Sequence, residues 1–360
     1  MVHLFTQKGR GLPDAERDPV TLHQPGTAAA VGAANATSYS KVMAKTLMEL
    51  AKEDHRIVAI SAGMMEGTAL GEMQRELPGQ VYDVGISESH AVALAAGMAS
   101  QGLKPVVCIY STFLQRAFDQ IVHDVAIQNL PVVLAVDRAG IVGDDGRTHH
   151  GVLDLAYLRA IPNMIVAAPK DENELRHLLR TALDSNQPFA LRYSRGVGVG
   201  VELSGPATAL PIGRGELLRE GSDVALLALG WGVAPALAAA EHLAAAGHQA
   251  AVVNARFVKP LDADLILHLA RRTRHLVTIE DHNAMGGFGS AVLELLADHE
   301  MSDVQVRRVA LPDEFHAQGP ADAIRATHGL SSEGIVAVAR DLISADLDIS
   351  VEAGRLTVRP

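Results

Sequence analysis

Cysteine is almost missing from this 360-residue chain. Cys108 stands alone, which rules out an internal disulfide and leads us to expect a reducing compartment, the cytoplasm by default. Aromatic residues make up only 4%, so burial must come from Ala, Val, Leu and Ile within an apolar fraction of 48%. Positive charge is in deficit: 31 basic against 42 acidic residues give a formal charge of −11, and no basic cluster stands out. Nucleic acids and anionic membranes need a concentrated positive surface, so neither is an expected partner. No apolar run reaches bilayer-spanning length, and residues 1–8 lack the apolar core of a signal peptide. The length itself suits two soluble globular domains.

Residues 1–37 open with a short strand-like run and then become polar, rich in Gly and Pro; 26–37 read as a flexible linker. From Ser38, a helix N-cap, the pattern turns regular, with Val42, Leu47 and Leu50 at helical spacing. Val- and Ile-rich runs at 57–61, 105–109, 131–136 and 164–167 alternate with helical stretches at 88–101, 114–128 and 171–184. Continuous apolar strands alternating with helices predict a parallel sheet covered on both faces. Gly and Pro cluster at 196–213, and the alternation then restarts with strands near 223–229, 250–254, 275–280 and 304–309. The tail after Asp346 is polar and expected to be peripheral.

Chemistry concentrates between Asp83 and Gly151. In Asp83-Val84-Gly85-Ile86-Ser87-Glu88-Ser89-His90, a β-run ends and Glu88 falls in the first turn of a helix. A glutamate there complements the helix dipole in any protein; it also lies where open α/β sheets bind ligands, at the carboxyl ends of strands. In the stretch from Ile109 to Gln120 a strand runs into a helix through Tyr110, Phe113 and Arg116, and composition alone makes Phe113 a core residue before a stacking platform. Asp137 to Gly151 form a long charged, Gly-rich loop containing Arg138, Asp145, His149 and His150, of the kind usually kept for function. Neighbouring histidines point apart, and no further ligand falls at suitable spacing, so no metal ligand set is assigned. Arg195 ends a strand and has the planar fork that suits phosphate, although a lone arginine is also an ordinary surface charge. The run Met285-Gly286-Gly287-Phe288-Gly289 lacks the Lys-Ser/Thr of a nucleotide loop and reads as close helix–sheet packing.

Together these stretches, with Phe257-Val258-Lys259-Pro260-Leu261-Asp262 and Thr6-Gln7-Lys8-Gly9-Arg10-Gly11, closely resemble the 1-deoxy-D-xylulose-5-phosphate synthases, a branch of the transketolase-like thiamine diphosphate enzymes. The resemblance runs from about His3 to about residue 340. It implies two doubly wound α/β domains: a pyrimidine-binding domain at 38–195 and a transketolase C-terminal domain at 210–345. Residues 196–213 would link them, and 1–37 would be a strand remnant and linker. It further implies a thiamine-dependent transferase of the isoprenoid-precursor route, joining a two-carbon unit of pyruvate to glyceraldehyde 3-phosphate. Glu88 matches the glutamate on the cofactor's aminopyrimidine, Phe113 the aromatic stacked on it, and Ile86 and Arg116 lie in the same cofactor-binding stretches. Tyr110, Arg116, Asp145 and His149 match residues that face the substrates, and Arg138 and Arg195 match the arginines that hold the acceptor's phosphate.

Ser87 and Ser89 stand where the family usually has Ala and Gln, and His150 replaces a usual glutamine. The larger departure is that nothing here matches the family's Gly-Asp-Gly…Asn stretch, which binds magnesium and diphosphate. The expectation is therefore a subunit or truncated form, homodimeric, that needs a separate diphosphate-binding partner and is inactive without it. Rival readings are a subunit of another two-component transketolase-like enzyme, a 2-oxo acid dehydrogenase beta subunit, or a non-catalytic regulatory paralogue. Arg138 and Arg195 speak against the dehydrogenase, Glu88 and His149 against the paralogue.

Overall fold

The computed structural model describes residues 1–18 and 37–355. It falls into two units, Met1–Asn35 and Ala36–Pro360. In the first, the opening residues expected as a strand are in no sheet; the regular element is a short helix, Pro13–Arg17. The physical reason is local: among the described residues of that unit no second strand offers a partner. Pro13 instead starts a helix at a position where a missing N–H costs nothing, and the Glu16 carboxylate reaches back to accept from the Gly11 amide at 2.8 Å. The predicted linker at 26–37 lies outside the described residues except for Thr37.

Among the described residues, the larger unit contains two sheets. Twelve strands run in chain order: β1 Ile57–Ser61, β2 Val81–Asp83, β3 Lys104–Tyr110, β4 Val133–Asp137, β5 Ile165–Ala167, β6 Phe189–Arg192, β7 Glu216–Arg219, β8 Val224–Ala228, β9 Ala250–Asn254, β10 Phe257–Lys259, β11 His275–Asn283 and β12 Gln305–Leu311. The first sheet has the order β10-β5-β6-β4-β3-β1-β2, parallel except for β10. The second has the order β12-β11-β8-β9-β7, parallel except for β7. This is the doubly wound α/β architecture expected. β10 was not anticipated: the stretch after β9 turns back at once and adds an antiparallel edge to the first sheet, so the chain crosses between the sheets.

Side-chain alternation divides the interior. On β3, Val107 and Ile109 enter one core while Val106 and Cys108 enter the other; β4 sorts Leu134 and Val136 from Val133 and Ala135 in the same way. One face is covered by the helices Tyr39–Glu53 and Glu172–Asp184, the first capped by the Ser38 hydroxyl as expected. The other is covered by the Ala-rich helix Glu88–Ser100, whose Ala91, Ala95 and Ala99 are small enough for close approach. That core continues through Ala225, Leu227 and Val253 of the second sheet.

The stretch expected as one helix at 114–128 is broken into short α, 3-10 and π turns. The Ser89 hydroxyl donates to the Arg116 carbonyl at 2.7 Å, which draws that carbonyl toward the neighbouring helix and away from a regular ladder. At the other end the helix Ser332–Arg355 continues past Asp346 into the polar tail.

Candidate active site

Because β1, β2, β3, β4 and β6 are parallel, their carboxyl ends open on one edge, and the loops leaving them carry the predicted residues. After β2, Asp83 uses one carboxylate oxygen to accept from the amides of Gly63 (2.7 Å) and Gly85 (2.9 Å). Gly85 takes φ +70°, and the turn leaves Ile86 at 74% exposure immediately before the buried Glu88. Glu88 begins its helix. Its carboxylate accepts from Arg116 Nη1 at 2.9 Å, and the arginine itself is mostly exposed. Arg116 is thus tied to the Glu88 helix through both its side chain and its carbonyl.

Phe113 is half-buried at the centre of an aromatic group. Tyr110 stacks on it (centroids 5.5 Å, 13°), His149 meets it edge-on at 5.3 Å, and the Arg116 guanidinium lies 5.8 Å from its centroid. The Thr112 hydroxyl donates to the Thr148 carbonyl at 3.1 Å, pinning the loop after β3 to the loop bearing His149. Tyr110 is buried, and desolvation pushes its phenol above the ordinary value. The charges of the predicted Arg138, Asp145 and Arg195, and of Asp137, which was not predicted, all bear on that phenol.

The two arginines differ in freedom. Arg138 lies over the Tyr110 ring at 4.1 Å, pairs with buried Asp137 at 2.9 Å, and donates through Nη1 to Ser40 Oγ (3.0 Å) and the Gly67 carbonyl (2.6 Å). Its backbone sits at φ +57°, a conformation that non-glycine residues hold only where neighbours impose it. Arg195 is looser: it donates to the Val142 carbonyl at 2.9 Å and lies 3.6 Å from Asp145 and 3.8 Å from Asp144. The two histidines part as expected. His149 Nδ1 meets the Thr148 hydroxyl at 2.9 Å, whereas buried His150 accepts from the Val142 amide at 3.1 Å.

Sequence reasoning missed what holds this loop from below. Asp281, at the end of β11, accepts from the Ile141 amide at 3.1 Å and is clamped by Arg325, whose Nε and Nη2 lie 3.0 and 2.9 Å from Oδ2. Arg325 also donates to the Ile141 carbonyl and lies 4.4 Å from the Trp231 ring centroid. At Gly140, φ +79°, any Cβ would collide with the Asp281 carboxylate. Arg192 bridges the Asp281 carbonyl (3.2 Å) to the buried Asp154 (2.9 Å). The only signal in the sequence was the Gly-rich loop itself. Removing one partner of such a pair strands a buried charge, at about 3–5 kcal/mol. Asp281→Ala should therefore lower unfolding stability by about that much in a denaturant titration. Asp281→Ala with Arg325→Met should lose less than the two single changes summed; an additive double variant would show the pair to be uncoupled.

Residues 35–198 match the family described as transketolase, pyrimidine binding domain, and residues 213–335 match transketolase, C-terminal domain. A solved structure described as a split gene transketolase, inactive beta4 tetramer, superposes with a TM-score of 0.77 at 32% identity, covering 85% of this chain and 98% of that one. The chain belongs to the transketolase family. Curated members named 1-deoxy-D-xylulose-5-phosphate synthase share high identity with it: 52% over 351 residues for one from Geobacter sulfurreducens and 52% over 353 residues for one from Heliobacterium modesticaldum, each covering 96% of this chain. Those relatives are covered only to 55% and 54%, so the chain spans about half their length. Among the described residues no helix is long and apolar enough to cross a membrane.

The family implies thiamine diphosphate, and the site fits half of it. A buried carboxylate at a helix start beside a half-buried phenyl ring suits an aminopyrimidine, which needs one partner for a ring nitrogen and one flat face. The other half does not fit. The carboxylates described at this edge already face protein donors: exposed Asp83 accepts from two amides, buried Glu88 from Arg116 and buried Asp137 from Ser40 and Arg138, and Asp145 lies 3.6 Å from Arg195. A magnesium ion bridging a diphosphate would find no free carboxylate set among them.

Proposed function

We propose that this chain is the pyrimidine-binding and C-terminal part of a 1-deoxy-D-xylulose 5-phosphate synthase, which converts pyruvate and glyceraldehyde 3-phosphate into that product and carbon dioxide. The observation that carries the reading is the contact network at the carboxyl edge of the first sheet, in which Glu88 pairs with Arg116 and Arg116, Tyr110 and His149 all lie against Phe113. The names of relatives 52% identical over nearly the whole chain support it. When bound, thiamine diphosphate supplies the electron sink for decarboxylation. Glu88 holds a proton at a nitrogen of the pyrimidine, Phe113 presents its face to that ring, and exposed Ile86 covers it from the turn after β2. Arg116 fixes the Glu88 carboxylate. Tyr110 and His149 face the substrates, His149 as the group that exchanges protons with them, and Asp145 orients that side of the pocket.

Arg138 and Arg195 meet the acceptor's phosphate unequally in this reading. Arg138 is largely spent on Asp137, Ser40 and Gly67 and shapes the site, whereas Arg195 has only one backbone acceptor and two weak carboxylate contacts to give up. Charge-assisted bonds of this type contribute roughly 1.5–3 kcal/mol each. Arg195→Ala, in enzyme completed with a diphosphate-binding part, should raise KM for glyceraldehyde 3-phosphate about tenfold or more. With unphosphorylated glyceraldehyde the change should be small. Equal losses on both acceptors would make Arg195 structural, and absence of deoxyxylulose phosphate from the completed wild-type enzyme would reject the function itself.

The diphosphate and magnesium are held, in this proposal, by sequence outside these 360 residues. The split-gene transketolase among the structural relatives supports that arrangement. Pairing of two copies of this chain, and a cytoplasmic setting, belong to the same proposal.

A further inference from the structure

The loop after β12 carries Pro312-Asp313-Glu314-Phe315-His316, and the next helix, Ala321–Thr327, ends at His328. These stretches bring Glu314, His316 and His328 together, with one potential ligand atom from each lying within 4.8 Å of the others. His316 Nδ1 and His328 Nε2 are each 3.6 Å from the same Glu314 oxygen, and the two imidazoles stand 4.7 Å apart at 63°. Tetrahedral zinc with bonds of about 2.0–2.1 Å separates its ligand atoms by roughly 3.3 Å. Two of the three edges of such a site are therefore already close to length.

The second observation is independent of that spacing. His316 is only 4% exposed, yet neither of its ring nitrogens has a hydrogen-bond partner. Burying an unsatisfied imidazole is unfavourable, and natural proteins rarely leave both nitrogens without a purpose. Glu314 stays half-exposed at 56%, which leaves a path for an ion from solvent.

We propose that Glu314, His316 and His328 bind a divalent transition-metal ion of the zinc class, with a fourth position open to water. Two imidazoles and one carboxylate favour zinc or its transition-metal neighbours; magnesium and calcium take oxygen ligands. The site is distinct from any magnesium that would accompany a diphosphate. It lies behind the candidate active site: the His316 ring is 6.3 Å from that of His150, and the Ala317 carbonyl is 3.4 Å from His150 Nε2. Its other anchor, the helix Ala321–Thr327, holds the Arg325 that clamps Asp281. A bound ion would thus fasten the loop after β12 to the helix that supports the active-site loop.

The test uses the whole chain, free of any affinity tag, stripped with chelator and titrated with Zn2+ by calorimetry and with Co2+ by visible absorption. One Zn2+ per chain is expected, together with the intense cobalt bands of a four-coordinate site and a rise in Tm on adding Zn2+. His328→Ala and Glu314→Gln should each weaken binding at least tenfold and abolish the Tm rise; even groups behind the ligands usually cost that much. His328 is at a helix end, so its variant keeps the test open if His316→Ala does not fold. Millimolar Mg2+ should not compete. Binding well below one ion per chain, weak six-coordinate cobalt bands, or Zn2+ affinity unchanged in His328→Ala would each overturn the proposal.

Discussion

In enzyme completed with its diphosphate-binding part, Glu88→Gln should turn over at least about a hundredfold more slowly, the usual scale for a positioned acid–base group. Glutamine keeps the shape and an oxygen for Arg116 Nη1, which sits 2.9 Å from the native carboxylate. On the proposed reading, what it removes is the ability to hold and exchange a proton with a ring nitrogen. A purely structural Glu88 gives a different result: a charge at a helix start contributes only about 0.3–1 kcal/mol, and Arg116 is too exposed for its pair to matter much to the fold. The variant should therefore show an unchanged circular dichroism spectrum and nearly unchanged Tm while losing turnover. Arg116→Ala separates the two sides of the pair. If Arg116 acts by fixing the carboxylate, its loss should lower turnover less than Glu88→Gln does and leave the fold intact. Unchanged turnover in well-folded Glu88→Gln would remove Glu88 from the chemistry.

How legible this was depends on the range of the interactions involved. β1, β3, β4, β8 and β9 are continuous Val-, Ile-, Leu- and Ala-rich runs whose burial on both faces shows in composition. β10 is three residues long and exists because β5, nearly a hundred positions earlier, offers an edge; no local pattern marks it. The helix expected at 114–128 fails for a similar reason, since a hydroxyl from another helix captures the Arg116 carbonyl. Glu88, Phe113, Tyr110 and His149 could be named in advance because each lies in a stretch that resembles the family: Glu88 at a helix start, Tyr110 and Phe113 at and just after the end of β3, and His149 in the long loop after β4. Their mutual contacts, the Asp281–Arg325 pair 44 positions apart and the Arg325–Ile141 bond 184 positions apart are disclosed only by the fold. Glu314, His316 and His328 escaped for the same reason: the spacing reads as an ordinary loop followed by an ordinary helix end, and nothing local brings the three together.

The 360-residue chain by itself should bind thiamine diphosphate more weakly than about 1 mM, which corresponds to roughly 4 kcal/mol. Its described site offers Phe113 for stacking and Glu88 for one hydrogen bond, and its edge carboxylates already serve protein donors. Association costs at least about 4 kcal/mol before any contact contributes, so a neutral ring held by a stack and a hydrogen bond gains little. Most of the cofactor's charge resides in its magnesium diphosphate, and that charge needs oriented amides and oxygen ligands. Adding a polypeptide that carries the family's Gly-Asp-Gly…Asn motif should convert this weak site into a tight, magnesium-dependent one and start product formation. The chain's own contribution then becomes visible: Phe113→Ala should weaken cofactor binding to the completed enzyme by about 1–2 kcal/mol through lost aromatic contact. Calorimetry on the chain alone and on the mixture distinguishes the possibilities. Tight magnesium-dependent binding by the chain alone would refute the half-site reading, and so would a mixture that binds no better than the chain.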